Sequence, residues 1–237
     1  MFKNLKNNIE GLERPKDIVT GLLNTDLYDG TLELAYGETS KKGSAGVVLQ
    51  FKLDNGRYYR QTVWVTKVNG DHFWVKNGVK GYMPGYTIVD ALGVIAEGKC
   101  IEDLSTEQKT IKVYDYKTRK EQPIEKEVFT SLIGKKYKLA IQKLREDHYM
   151  IGSTWTEKNE IVFVYNTDGD TVNEIRAAES GGGFSESWLA KNKGKVKDKR
   201  KDSKEGKEYE YTNAATATKS AEAPAVGVTP SIFEQDA

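Results

Sequence analysis

Two aromatic rings and a guanidinium fall on one side of a short run, Tyr58-Tyr59-Arg60-Gln61-Thr62-Val63-Trp64. Period-two alternation puts Tyr58, Arg60, Thr62, Trp64 and Thr66 on one face, and Tyr59, Gln61, Val63, Val65 and Lys67 on the other. The row of Tyr59, Val63 and Val65 suits a core, so the first face presents rings and a cation to solvent. Flat rings beside cations stack bases and hold phosphates. The run therefore reads as one strand of a sheet that binds single-stranded nucleic acid. The next run repeats the pattern, with His72, Trp74 and Lys76 against Phe73 and Val75. Thr110 to Tyr116 sets Lys112, Tyr114 and Tyr116 opposite Ile111 and Val113, and Lys117 and Arg119 follow. Arg57 and Lys67 flank the first run, and Tyr82 lies in a glycine-containing basic stretch, Lys76 to Tyr86, suited to closing over a strand. For each ring the competing reading is core or cross-strand packing.

Catalytic chemistry finds less support. His72 and His148 are the only histidines, and neither has a second ligand at metal-binding spacing. Cys100 is the only cysteine, which rules out an intrachain disulfide and a cysteine-based zinc site. The phosphate-loop, nucleophile-elbow and dinucleotide fingerprints are missing from the sequence. Asp168-Gly169-Asp170 reads as a turn, and Glu125-Lys126-Glu127 is too common a combination to mark a nuclease. The expectation is a non-enzymatic protein without cofactor or metal. The start of the chain has no apolar signal core, and no stretch approaches the 18 apolar residues of a membrane span. A reducing, cytoplasmic setting is expected.

The elements that must position these residues are short strands. Thr31 to Tyr36 alternates, with Leu32, Leu34 and Tyr36 on one side. A Gly/Ser-rich loop with Lys41 and Lys42 leads into a second strand, Val47 to Leu53. Asn55-Gly56, Asn69-Gly70 and Asn77-Gly78 are hairpin signals, because both residues tolerate the positive φ of type I′ turns. They predict a meander through about 47–53, 57–67 and 71–76. Thr87 to Glu97 reads as one short helix, with Thr87 as N-cap, Asp90 completing a capping box and Gly98 past its end. Strands over 110–116, 136–144 and 160–165 follow, with a helical turn near Phe129 to Gly134. This order fits a mostly β, Greek-key barrel of the OB type with one short helix, and an open sandwich is the alternative.

The predicted domain spans 1–179. Gly181-Gly182-Gly183 reads as a hinge to a flexible tail, 180–237. The tail holds an aromatic patch (Phe184, Trp188), a lysine-rich stretch and a mildly acidic end; its low complexity from 194 onward predicts disorder. Residues 191–207 carry a net charge of +6 and residues 208–237 a net of −4, which leaves about −1 on residues 1–190. Attraction to phosphate must then come from a local patch or from the lysine run.

Several motifs together resemble a known family. Gly-Arg-Tyr-Tyr-Arg-Gln-Thr-Val-Trp-Val-Thr (Gly56 to Thr66), Asn-Gly-Asp-His-Phe-Trp (Asn69 to Trp74), Met-Pro-Gly-Tyr-Thr (Met83 to Thr87), Lys-Val-Tyr-Asp-Tyr (Lys112 to Tyr116), Leu-Ile-Gly-Lys (Leu132 to Lys135) and Trp-Leu-Ala-Lys-Asn-Lys-Gly-Lys (Trp188 to Lys195) are similar to segments of the single-stranded DNA-binding proteins of tailed bacteriophages. The resemblance covers about residues 25–200. It implies an OB-fold that coats single-stranded DNA during replication or recombination, without sequence preference or catalysis, in the host cytoplasm. It also implies recruitment of replication or recombination proteins through an acidic tail ending in an aromatic residue. This chain departs from that pattern, since Phe233 is followed by four further residues and the tail is only mildly acidic. The expected nucleic-acid ligands are thus Arg57, Tyr58, Arg60, Trp64, Lys67, His72, Trp74, Lys76, Tyr82, Lys112, Tyr114, Tyr116, Lys117 and Arg119. The alternative is a protein-interaction module, a virion or inhibitor protein that uses the same aromatic face. A nuclease with a dispersed site is a third reading.

Overall fold

The computed structural model of the chain describes residues 21–115, 120–147, 155–179 and 181–200. Along these residues the elements are β1 (Asp26–Thr39), β2 (Ala45–Leu53), β3 (Tyr58–Trp64), β4 (Phe73–Lys76), β5 (Val79–Tyr82), α1 (Pro84–Glu97), β6 (Glu107–Asp115), β7 (Lys120–Val128), β8 (Lys136–Asp147), β9 (Trp155–Tyr165), α2 (Val172–Arg176), α3 (Gly183–Asn192) and β10 (Val196–Asp198). The long strand β1 is the spine. Its first half pairs antiparallel with β8, from Asp26 opposite Ile141 to Thr31 opposite Lys136, and its second half pairs with β2. β3 extends the sheet from β2, and β9 extends it from β8. One strand shared between two halves of a curled sheet, with α1 coming after β3 and the small β4–β5 hairpin, gives the expected mostly β, barrel-like architecture of OB type.

The core lies inside this curl. Leu32, Leu49, Phe51, Tyr59, Val63, Tyr137, Leu139, Ile141 and Ile161 line it, and α1 closes one end with Ile88, Val89 and Leu92. No ladder joins β3 to β9 among the described residues. The seam is bridged by Gln61, whose Oε1 accepts from the Ile161 N–H and from the Tyr59 hydroxyl, each at 2.8 Å.

Several local expectations change. In β1 the register slips between Leu32 and Leu34, a bulge that breaks the simple alternation. Leu32 enters the barrel core, while Leu34 and Tyr36 turn to the outer face. Only Asn77-Gly78 has positive φ at both residues (51° and 79°), as a type I′ turn requires; at the other two turns only Gly56 and Gly70 do. The basic stretch after Lys76 is not a loop but the hairpin β4–β5, a two-stranded sheet of its own. Helix α1 starts three residues before the expected N-cap because Pro84 fits its first turn; Met83 is the N-cap, and no side chain caps it. Thr87 instead donates to the Pro84 carbonyl, and Asp90 accepts from the Ile101 N–H at 3.0 Å. Gly98 ends the helix in the left-handed region as expected, with φ 68°.

The largest correction concerns the C-terminal boundary. Residues 181–200 belong to the folded domain, adding α3 and β10 to the single helix expected, and α2 is likewise additional. Trp188 is buried with Ala140 and Tyr165, and Phe184 and Leu189 pack on the same cluster. β10 pairs parallel with β8, Val196 opposite Lys143. The triple glycine is no hinge. Gly181 and Gly182 donate their N–H groups to Asp170 Oδ1 at 2.9 and 2.8 Å. A Cβ on Gly182 would lie 2.9 Å from the Asp168 carbonyl oxygen, so glycine is needed here for close approach. Asp168-Gly169-Asp170 is a turn, as expected, closed by Asn166, whose Oδ1 accepts from the Asp168 and Asp170 N–H groups. Three cations in the described part of the lysine run are ion-paired, Lys193 with Asp26, Lys199 with Glu160 and Arg200 with Asp198. The rest of the expected tail, from 201, lies outside the described residues. No helix among the described residues is long and apolar enough to cross a membrane.

Candidate nucleic-acid interface

The alternation in β3 holds. Tyr59 and Val63 point into the core, while Tyr58 (61% exposed), Arg60 and Trp64 (39% exposed) stand on the outer face. The strand is apolar on its other side, so burying that side forces these rings outward. β2 contributes Lys52, Gln50, Val48 and Gly46 to the same face, opposite Tyr58, Arg60, Thr62 and Trp64 in register.

Trp64 is seated by Gly46. A Cβ built on Gly46 would lie 2.7 Å from Trp64 Cε3 and 3.1 Å from Cζ3, so the six-membered edge of the indole packs against the bare β2 backbone. Its position is further confined by α1, because a Cβ on Gly85 would strike the Trp64 main chain. One edge of the ring rests on the protein, and the residue as a whole stays 39% exposed.

Arg60 is held by Tyr36, from β1. Arg60 Nη2 donates to the Tyr36 hydroxyl at 2.6 Å, and its guanidinium carbon is 5.9 Å from the Tyr36 ring centre. A second cation, Lys126 of β7, lies 5.7 Å from the same ring centre and pairs with Glu38 at 2.8 Å. β6 and β7 form a hairpin arm joined to the barrel by one pair, Tyr36 opposite Val128. Its inner face carries Ile111 and Val113, which pack on Leu34, Tyr36 and Val48, so the arm borders the β3 face. By register, Lys109, Ile124 and Lys126 share that inner face.

After Trp64 the chain leads into the β4–β5 hairpin. Tyr82 (52% exposed) is stacked on Tyr86 at 4.7 Å and 12°, and His72 lies against Tyr86 at 5.0 Å and 22°. Tyr86 anchors this column: it is buried and donates its hydroxyl to Glu102. Desolvation and the neighbouring carboxylate push the Tyr86 phenol up, and the same hydrogen bond holds the Glu102 carboxyl below its usual range. Phe73 has Lys67 and Lys80 over its ring at 5.7 and 5.6 Å. Trp74 is half-buried, and its Nε1–H is used by the Tyr82 carbonyl at 3.1 Å.

The expected residues therefore separate into groups. Tyr58, Arg60 and Trp64 form one row, and Lys67, His72, Trp74, Lys76 and Tyr82 belong to the hairpin region that follows it. Arg57 serves the fold by donating to the Gly21 carbonyl. The expected meander from 57–67 to 71–76, with its second aromatic and basic row beside the first, is not formed, because β4 is in its own sheet; β6, which repeats the pattern, is on the arm. Lys112 and Tyr114 are exposed on the arm's outer face, which also carries Glu121, Glu125 and Glu127 by register. Tyr116, Lys117 and Arg119 lie outside the described residues.

Sequence reasoning missed Tyr36, Phe73, Lys126 and Trp155 as members of such surfaces, whereas Lys80 lies in the basic stretch it singled out. Lys126 was hidden because Pro123 and five charges in β7 obscure a strand whose alternation, Gln122, Ile124, Lys126, Val128, is plain once the arm is known. Trp155 is exposed at the start of β9, with the Arg145 guanidinium 4.4 Å from its ring centre. A cleft of about 490 Å³ at the base of the arm is lined by Glu38, Gly46, Gln108, Glu125, Lys126 and Glu127 among others. Glu38, Glu125 and Glu127 make much of its lining acidic, and Lys126 is its one cation. Among the described residues no group of three metal-ligating side chains comes together. No protein-family model matches the chain, and no curated protein matches it.

Proposed function

We propose that the chain binds single-stranded nucleic acid through the outer face of β3 and the adjoining β4–β5 hairpin, and does so without catalysis. The observation that carries this is the row Tyr58, Arg60 and Trp64: two exposed rings on either side of a cation, with Trp64 backed by the Gly46 main chain. Each base stacked on such a ring contributes about 1 to 3 kcal/mol, and every base has a face to offer, so the mode is indifferent to sequence. Arg60 and Lys126 lie within 6 Å of the Tyr36 ring centre, and Lys67 and Lys80 within 6 Å of the Phe73 ring centre, which gives this surface and the hairpin four cations to offer phosphates. The near-neutral body limits attraction to this local patch.

The more particular reading is a single-stranded DNA-binding protein of the tailed-bacteriophage type, acting on replication or recombination intermediates in the host cytoplasm. The sequence resemblance and the OB-type connectivity support it. The test is fluorescence anisotropy of labelled oligo(dT), with duplex DNA of the same length as competitor, at several salt concentrations. Single-strand preference and a log–log salt slope of about −3, from four phosphate contacts at about 0.7 each, are expected. Binding that ignores salt, or a partner that is a protein, would put the aromatic face to the alternative use.

A further inference from the structure

Resting on the single-strand reading, we infer that Arg60 and Lys126 form a phosphodiester-binding pair organised by Tyr36, with Glu38 as an internal competitor for Lys126. Tyr36 is 1% exposed, yet its hydroxyl accepts from Arg60 and its ring lies within 6 Å of both cations. A buried phenol at this point does two things. It fixes a long, exposed arginine in one geometry, which removes rotamer entropy that binding would otherwise cost. It also ties β3 to the arm, since Tyr36 is the residue paired with Val128 and packed against Ile111 and Val113. Arg60 uses only its Nη2 in the hydrogen bond to Tyr36, which leaves other donors of its planar fork for a phosphate.

Lys126 differs, because its ammonium is occupied by a carboxylate. The Glu38 Oε2 to Lys126 Nζ distance is 2.8 Å, and both side chains are only partly exposed. An anion arriving along β3 between the barrel and the arm meets Arg60 directly and Lys126 through Glu38. Exchange of carboxylate for phosphate costs little Coulomb energy, because one anion replaces another. It does make Glu38 a brake on affinity. Tyr36 is therefore a positioning residue, and Arg60 and Lys126 are the proposed ligands.

The test is oligo(dT) binding by the full chain across salt concentrations, with Tyr36→Phe, Glu38→Gln, Arg60→Gln and Lys126→Gln, each checked by thermal melting. Arg60→Gln and Lys126→Gln are each expected to weaken binding about threefold to tenfold and to make the salt slope shallower by about 0.7. Tyr36→Phe, which keeps the ring and removes the hydroxyl, should weaken binding about threefold to tenfold alone and not at all in the Arg60→Gln background. Glu38→Gln should tighten binding. The inference is overturned if Lys126→Gln and Tyr36→Phe bind as the parent does while Arg60→Gln and Trp64→Leu lose affinity, or if Glu38→Gln brings no gain. If no variant and no parent protein binds oligo(dT) at low salt, the single-strand reading itself has failed. Should Lys126→Gln loosen the arm, the gain from Glu38→Gln and the non-additivity of Tyr36→Phe with Arg60→Gln still decide the matter, because neither removes a packed apolar group.

Discussion

Adding one methyl group at Gly46 should unseat the indole that the proposed interface depends on. In Gly46→Ala the new Cβ would fall 2.7 Å from Trp64 Cε3, 3.1 Å from Cζ3 and 2.8 Å from the Val63 carbonyl oxygen. Carbon–carbon contacts settle at about 3.5 to 4.0 Å, so the near edge of the ring must retreat by close to an ångström. The Val63 oxygen has less freedom, since β3 is held to β2 along seven paired residues. Strain of this kind costs about 1 to 3 kcal/mol, a loss that chemical denaturation will read. The displaced indole loses its seat, and the binding loss should approach the value of one stacked base, about 1 to 3 kcal/mol or roughly 5- to 150-fold in affinity. The decisive assay is oligo(dT) anisotropy on Gly46→Ala, Trp64→Leu and the double variant under conditions where all are folded. The double variant should be no weaker than Trp64→Leu alone. A folded Gly46→Ala protein with the parent's affinity would show that the seat of Trp64 is irrelevant to binding and would refute this reasoning.

Three further outcomes follow from the same geometry. Tyr82→Ala should weaken oligo(dT) binding with little change in melting temperature, whereas Tyr86→Ala, which removes the buried anchor of the same column, should lower the melting temperature markedly. Lys112→Ala and Tyr114→Ala should change affinity by less than about twofold, because they share the arm's outer face with Glu121, Glu125 and Glu127; a tenfold loss would place the strand on that face. The Asp170 carboxyl is held below its usual value by the hydrogen bond from Asn166 and then by the Gly182 and Gly181 N–H groups. Its folded value being the lower one, the latch is at full strength above the ordinary carboxylate range of about 4 and is lost as pH falls through the depressed value. Amide protection factors over 181–200, corrected for the intrinsic pH dependence of exchange, should accordingly fall below about pH 4 and, at neutral pH, in Asp170→Asn.

What the sequence made legible was local and periodic. The β3 alternation predicts its own exposed row because one strand's two faces differ sharply in polarity, and Gly98 marks the end of α1 through its own backbone freedom. Long-range relations were not legible. The bulge after Leu32 sends Tyr36 outward, and nothing in the local pattern marks which residue is skipped. The arm was half visible, since Thr110 to Tyr116 reads as a strand while its partner, interrupted by Pro123, does not. The triple glycine looked like a hinge because composition reports conformational freedom; in the fold that freedom lets Gly182 approach Asp168 and lets two N–H groups converge on Asp170. Trp188 is the same lesson at the level of packing, for its burial depends on β8 and β9 brought from over twenty residues upstream.

The account's central claim is that an exposed, backed tryptophan on β3 stacks on single-stranded DNA. Quenching of intrinsic tryptophan fluorescence by oligo(dT), compared between the parent chain and Trp64→Leu, tests it most directly. The prediction is strong quenching in the parent, much weaker quenching by duplex DNA, and loss of most of the signal together with roughly 5- to 150-fold of the affinity in Trp64→Leu. Equal quenching and equal affinity in the two proteins, or no response of the parent at low salt, would contradict it.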